Sequence, residues 1–173
     1  MNAKWRNGIL ITGLATALLG VALYFKRQYK LLRDACYTIS GGVVHSLGID
    51  NVKITLFFKV VNESDITIEV SDMDFSIYVN GMYITKIAKK EPQILYSKSD
   101  VIIKLDFEFN PKDLLRAGLT NIAPIIYDKE KLVVNTKGTF SLKTGMVKMR
   151  NHPFDESITL KELLSPSEKP DKC

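Results

Sequence analysis

The segment Val52-Lys53-Ile54-Thr55-Leu56-Phe57-Phe58-Lys59-Val60-Val61-Asn62 places Val52, Ile54, Leu56, Phe58 and Val60 on one parity and Lys53, Thr55, Phe57 and Lys59 on the other. A period of two buries the first set and turns the second toward solvent, which describes a strand with one wet face. Phe57, on the lysine-bearing side, is expected to be exposed at an interface. The same rhythm continues downstream. Ile66, Ile68 and Val70 alternate with Thr67 and Glu69, and Phe75, Ile77 and Val79 with Asp74, Ser76 and Tyr78. Asn80-Gly81 supplies the positive φ angles of a tight hairpin into a strand at Tyr83–Ile87. Val101, Ile103, Leu105, Phe107 and Phe109 form the next alternating run. Leu132, Val134, Thr136, Phe140 and Leu142 share parity in a long strand containing Gly138. Thr144-Gly145 turns that strand into Met146–Met149, and a last short strand is expected at Ile158–Leu160. One helical insertion interrupts the series: Asn110 caps it, Pro111 suits its first position, Asp113 takes the capping-box place, Leu114 and Leu115 face inward, and Gly118 ends it. Seven or eight short strands with turn signals between them predict an all-β antiparallel β-sandwich over residues 43–164. Residues 165–173 have no apolar period and are expected to form a disordered tail.

Upstream, no charge occurs between Asn7 and Phe25. Gly8-Ile9-Leu10-Ile11-Thr12-Gly13-Leu14-Ala15-Thr16-Ala17-Leu18-Leu19-Gly20-Val21-Ala22-Leu23-Tyr24-Phe25 would make a helix about 27 Å long, close to the roughly 30 Å hydrocarbon core of a bilayer. Trp5 before the run and Tyr24 and Phe25 at its end sit where aromatic side chains prefer the two interfaces. The reading is a flank over 1–7, a transmembrane helix over 8–25 and a basic juxtamembrane helix and linker over 26–42. Lys4, Arg6, Lys26, Arg27, Lys30 and Arg33 are placed for lipid headgroups. Ala15-Thr16-Ala17 resembles a signal-cleavage site, but the apolar run continues to Lys26-Arg27, which fits an uncleaved anchor better. Two Lys/Arg precede the run and four follow it by residue 33, a bias that keeps the body on the cytoplasmic or particle-interior side.

The chain has 173 residues, 46% apolar and 25% charged, enough for one packed domain and a short attachment. Its net charge is +5. Six of the 24 basic residues and one of the 19 acidic residues lie before residue 36, so the remainder carries 18 of each and no surplus for phosphates. Nucleic-acid binding is excluded on that ground. Cys36 and Cys173 stand at opposite ends and are not expected to pair in a disulfide that holds the fold. With His45 and His152 they match no zinc spacing.

No reaction motif is present. Neither histidine has a serine or cysteine in a nucleophile setting. Asp106 and Glu108 share a strand face with Lys104 and read as a solvated charged face. Asp65, Asp72 and Asp74 read as turn chemistry rather than a calcium site. Gly41-Gly42 is no phosphate loop. Asn62-Glu63-Ser64 matches the glycosylation pattern. Lys89-Lys90 marks an exposed connection. The expectation is no catalytic residue, no cofactor, no metal and no small-molecule substrate.

Residues 51–109 resemble the type 2 late-embryogenesis-abundant domain, also called the water-stress and hypersensitive-response domain. The likeness rests on Val52-Lys53-Ile54 through Val61-Asn62, on Ile66–Val70, and on Phe75-Ser76-Ile77-Tyr78-Val79-Asn80-Gly81. Lys137-Gly138-Thr139-Phe140-Ser141-Leu142 with Met146-Val147-Lys148-Met149 resembles the family's closing hairpin. The chain departs at Asn62-Glu63, where the family usually has Asn-Pro. The resemblance implies an immunoglobulin/fibronectin-III-like sandwich without catalysis, often held by one N-terminal helix. The function expected is that of a non-catalytic, single-pass membrane-anchored sandwich contacting a lipid bilayer and other proteins or copies of itself. Two alternatives are a structural component of a lipid-containing virion, and a lipid-binding or transfer module whose sandwich holds an acyl chain.

Overall fold

The computed structural model describes residues 19–48, 50–116 and 132–164. In chain order the elements are helix α1 over residues 19–33, then strands β1 (Cys36–Leu47), β2 (Val52–Asn62), β3 (Ile68–Val79), β4 (Met82–Lys89), β5 (Gln93–Leu95) and β6 (Ser99–Phe109). Helix α2 (Pro111–Arg116), β7 (Val133–Thr144), β8 (Val147–Thr159) and helix α3 (Leu160–Leu164) complete the series. One antiparallel sheet has the order β1-β2-β6. The other runs β4-β3-β7-β8, with β5 paired to β3. The chain crosses between sheets from β2 to β3, from β5 to β6 and from β6 to β7, as an all-β sandwich requires.

The alternating residues pack the space between the sheets. Phe58 of β2 meets Phe75 of β3, Phe140 of β7 and Phe154 of β8, with ring centroids 5.1, 5.5 and 5.1 Å apart and rings tilted or edge-on. That geometry sets ring edges against ring faces and fills the volume. Around it Ile54, Leu56, Ile77, Leu105, Val134 and Leu142 are buried, as their parity predicts.

Four boundaries differ from the sequence expectation. The sandwich opens at Cys36, within the segment read as juxtamembrane linker (26–42), because Gly41-Gly42 is strand and not a break. A Cβ on Gly42 would collide with the Thr55 carbonyl and lie 2.7 Å from Leu163 Cδ1 of α3, so the glycine is where helix and strand come closest. The expected strands at 66–70 and 75–79 are one strand. A bulge between Ser71 and Asp74, with Asp72 at φ 49°, moves the buried parity from Ile68 and Val70 to Met73, Phe75 and Ile77. The strands expected at 146–149 and 158–160 are likewise one, β8, bulged where Asn151 has φ 53°. Leu160 begins α3 instead of ending a strand. The insertion is as expected at its start, where Asn110 Oδ1 accepts from Lys112 N at 2.9 Å. The expectations for the Leu114 and Leu115 side chains, Gly118 and the tail 165–173 fall outside the described residues.

Candidate functional site

His45 lies in β1, on the outer face of the three-stranded sheet. Its Nε2 is 2.9 Å from Thr55 Oγ1, and that hydroxyl donates to Asp106 Oδ1 at 2.5 Å. With the Thr55 proton directed to Asp106, the imidazole serves as the donor to the threonine oxygen. The trio therefore lacks the base-to-nucleophile order that acyl transfer needs. His152 of β8 sits edge-on to Tyr37 and Phe140, with Nε2 2.5 Å from Tyr37 Oη. Burial pushes the His152 imidazole down and the Tyr37 phenol up, so both are held neutral as part of the packing. Beside them Glu156 accepts from Thr38 Oγ1 at 2.8 Å and from Ile39 N at 2.7 Å, which ties β1 to β8 where β1 bulges.

The aspartates of the turns each meet a lysine. Asp65 lies 3.6 Å from Lys98, Asp72 2.8 Å from Lys148 and Asp74 2.8 Å from Lys86. The hydrogen bond from Lys148 holds the Asp72 carboxyl below its ordinary range. Among the described residues no group of three or more His, Cys, Asp or Glu side chains is placed to hold a metal ion. Asp106 is taken by Thr55, and Glu108 stands opposite Lys53 across the strand pair. Phe57, expected to be exposed, is half-buried opposite Lys104. Lys89 and Lys90 line an open hollow of about 720 Å³ with Ile102 and Lys104, and Lys89 Nζ reaches the Lys104 carbonyl.

Two features were not read from the sequence. Asn62 is 1% exposed, and its side-chain amide donates to the carbonyls of Ile66 at 2.6 Å, Tyr96 at 2.8 Å and Leu95 at 3.4 Å. The glycosylation pattern there is thus a buried bracket joining the end of β2 to the segment just before β3 and to the end of β5. Its one signal in the sequence is an asparagine closing an apolar strand. Cys36 is disulfide-bonded, and Cys173, the other cysteine of the chain, lies outside the described residues.

Of the residues assigned to the anchor, Trp5, Gly8, Ile9, Leu10, Ile11, Leu14 and Leu18 lie outside the described residues, as do Lys4 and Arg6 among the headgroup set. Leu19, Val21, Leu23, Tyr24 and Phe25 are in α1 and exposed, as are Lys26, Arg27, Lys30 and Arg33. Among the described residues no helix is long and apolar enough to cross a membrane. The helix has two regimes. Residues 19–27 are exposed, whereas Gln28 and Leu32 of α1, with Ala35 just past its end, are buried at helical spacing against the sandwich. The Tyr24 hydroxyl reaches the β7–β8 turn, 3.5 Å from where a Cβ on Gly145 would lie.

No curated protein matches the chain. Among solved structures, the solution structure of a protein assigned to late embryogenesis abundant proteins superposes with a TM-score of 0.50 at 11% identity, covering 89% of this chain and 85% of its own. A protein of Arabidopsis thaliana gives 0.47 at 13% identity (71% and 78% covered), and a protein from Archaeoglobus fulgidus gives 0.45 at 18% identity (72% and 94%). The first of these shows a shared fold. The family model for late embryogenesis abundant proteins matches residues 57–158, a span that begins inside β2, takes in the Asn62 bracket and ends in β8. The chain therefore belongs to the type 2 late embryogenesis abundant family.

Proposed function

We propose that the protein is a single-pass, membrane-anchored, fibronectin-III-like sandwich that acts by contact, through its surface and the lipid beside it, and not by catalysis. Family membership supports a non-catalytic structural or lipid-binding role. The observation that carries the anchor is α1. Leu19, Val21, Leu23, Tyr24 and Phe25 are exposed together, without a covering layer, at the end of an apolar run that extends back to Gly8. A contiguous apolar surface of that kind marks a membrane or protein contact, and the aromatic and basic residues that close it match a bilayer interface. The packed aromatic cluster around Phe58 favours a contact role over a transfer module holding an acyl chain between the sheets. The neutral body supports protein or lipid partners over nucleic acid.

The test is extraction of full-length protein from membranes. Retention in the pellet through alkaline carbonate and release by detergent are expected, with a chain lacking residues 1–25 found in the soluble fraction. Release of the full chain by carbonate overturns the anchor. The Cys36 disulfide supports a body on the oxidising side of the membrane, and it outweighs the small Lys/Arg bias that favours the other side. Protease added to sealed membranes is then expected to digest the body; full protection reverses the orientation.

A further inference from the structure

The pairing register fixes which end of the sandwich lies beside α1. Cys36 pairs with Val61, Asn62 with Ser99, Ile68 with Leu95, and Glu69 with Lys143. The start of β1, the β5–β6 turn and the β7–β8 turn therefore share one end, and Asn80-Gly81 lies at the other. At the shared end two side chains stand out. Met146, at the tip of the β7–β8 turn, is 82% exposed, and Tyr96, after β5, is 68% exposed. No core residue requires either to be apolar. The Met146 turn also lies beside α1 at Tyr24, whose hydroxyl is 3.5 Å from where a Cβ on Gly145 would lie, one residue before the apolar run ends at Phe25.

We infer that this end of the sandwich rests on the bilayer interface, with Met146 inserted among the headgroups beside the helix and Tyr96 at the same level. The inference rests on the proposed anchor and adds to it the face that the body turns to lipid. If Tyr24 and Phe25 mark the interface, a turn in contact with Tyr24 is at the same depth. The occupant is lipid because the sequence leading into Tyr24 and Phe25 is uncharged and apolar back to Gly8. Methionine is flexible and tolerates a disordered apolar surrounding, and tyrosine places its ring in the acyl boundary and its hydroxyl in water. Three lysines near this end are paired within the protein: Lys98 with Asp65, Lys143 with Glu69, and Lys148 with Asp72.

Trp5 is the only tryptophan in the chain, which supplies an internal reference. Full-length protein is reconstituted into phosphatidylcholine vesicles with and without brominated acyl chains. Three forms are compared: wild type, Trp5→Phe/Met146→Trp, and Trp5→Phe/Tyr83→Trp, the last placing the probe on an exposed position near the opposite end. The expected result is that the probe at position 146 loses emission in brominated vesicles to an extent comparable with Trp5, and that its spectrum shifts to the blue. The probe at 83 is expected to be unaffected. If Trp5 is quenched while the probe at 146 behaves like that at 83, the inference fails and the anchor stands. If neither Trp5 nor the probe at 146 is quenched, both fail.

Discussion

Asn62 shows how much one side chain can fix. Three carbonyls, one just before β3 and two at and just after the end of β5, converge on its amide, in a place where water does not reach. Asn62→Ala leaves those acceptors buried and unmet, and the expected cost is about 2–3 kcal/mol in urea unfolding. Asn62→Asp should cost at least as much, since it removes the donors and buries a charge. The same burial predicts that protein made in a eukaryotic secretory host carries no glycan at Asn62, which the mass of the tryptic peptide checks. His152 sets a pH dependence. Its folded pKa lies below the unfolded value because burial disfavours the cation. As pH falls below about 6.5 the unfolded chain takes up a proton that the native state refuses, so stability falls with pH across that range. The facing groups are the Tyr37 hydroxyl and the Phe140 ring, neither of which supplies a charge there. The Asp72 carboxyl, and that of Asp155, which hydrogen bonds from Asn135 and Lys137 hold below its ordinary range, lose their stabilising effect only below about pH 4. Melting temperatures at pH 7.5, 6.5 and 5.5 should decline for the wild type and stay level for His152→Gln; an equal decline in both would remove His152 as the cause.

At the scale of elements, α3 is short but carries core. Thr159 Oγ1 and N both donate to Glu162 Oε2, at 2.9 and 2.8 Å, and Glu162 N returns a bond to Thr159 Oγ1 at 3.2 Å. This reciprocal cap turns β8 into a helix and delivers Leu163 onto Gly42 of β1. Leu163→Ala should lower unfolding free energy by about 2–5 kcal/mol, since the side chain is fully buried and β1 cannot collapse into the gap. A loss below about 1 kcal/mol, within the range of surface substitutions, would mean that α3 is peripheral. The Thr159-Leu160-Lys161-Glu162 signature was present in the sequence but was hidden by the strand parity running into it. Strands β2, β6 and β7 were legible because one unbroken parity meets one core. Strands β3 and β8 were read as pairs, since a bulge shifts parity by one residue and so looks like a chain break. β1 was missed because Gly41-Gly42, which in a lone sequence signals a linker, is explained by close approach of the Thr55 carbonyl of β2 and of Leu163 in a helix more than 100 residues away. Among the described residues Asp65, Asp72 and Asp74 each meet a lysine, and the threonine between His45 and Asp106 gives its proton to the carboxylate, pairings that strand parity alone does not disclose.

For the whole molecule the question is where the body ends and its attachment begins. The sequence placed that boundary at residue 43; the structure places core residues as early as Gln28, with Leu32 and Ala35 buried below the sandwich. A helix that leaves an apolar run and then buries its own last turns cannot act as a flexible tether. Burial of Leu32 couples the helix to the sandwich. Two truncations test the coupling. A chain beginning at residue 26 keeps Gln28, Leu32 and Ala35 and should unfold in urea as the full sandwich does. A chain beginning at Cys36 keeps every strand but loses those three side chains, and should be weaker by about 2–5 kcal/mol, the range for deleting one fully buried leucine. Equal midpoints for the two would make α1 an independent arm. A loss confined to the shorter chain would make the last turns of α1 part of the sandwich, so that the body's orientation is built into the same residues that hold its core.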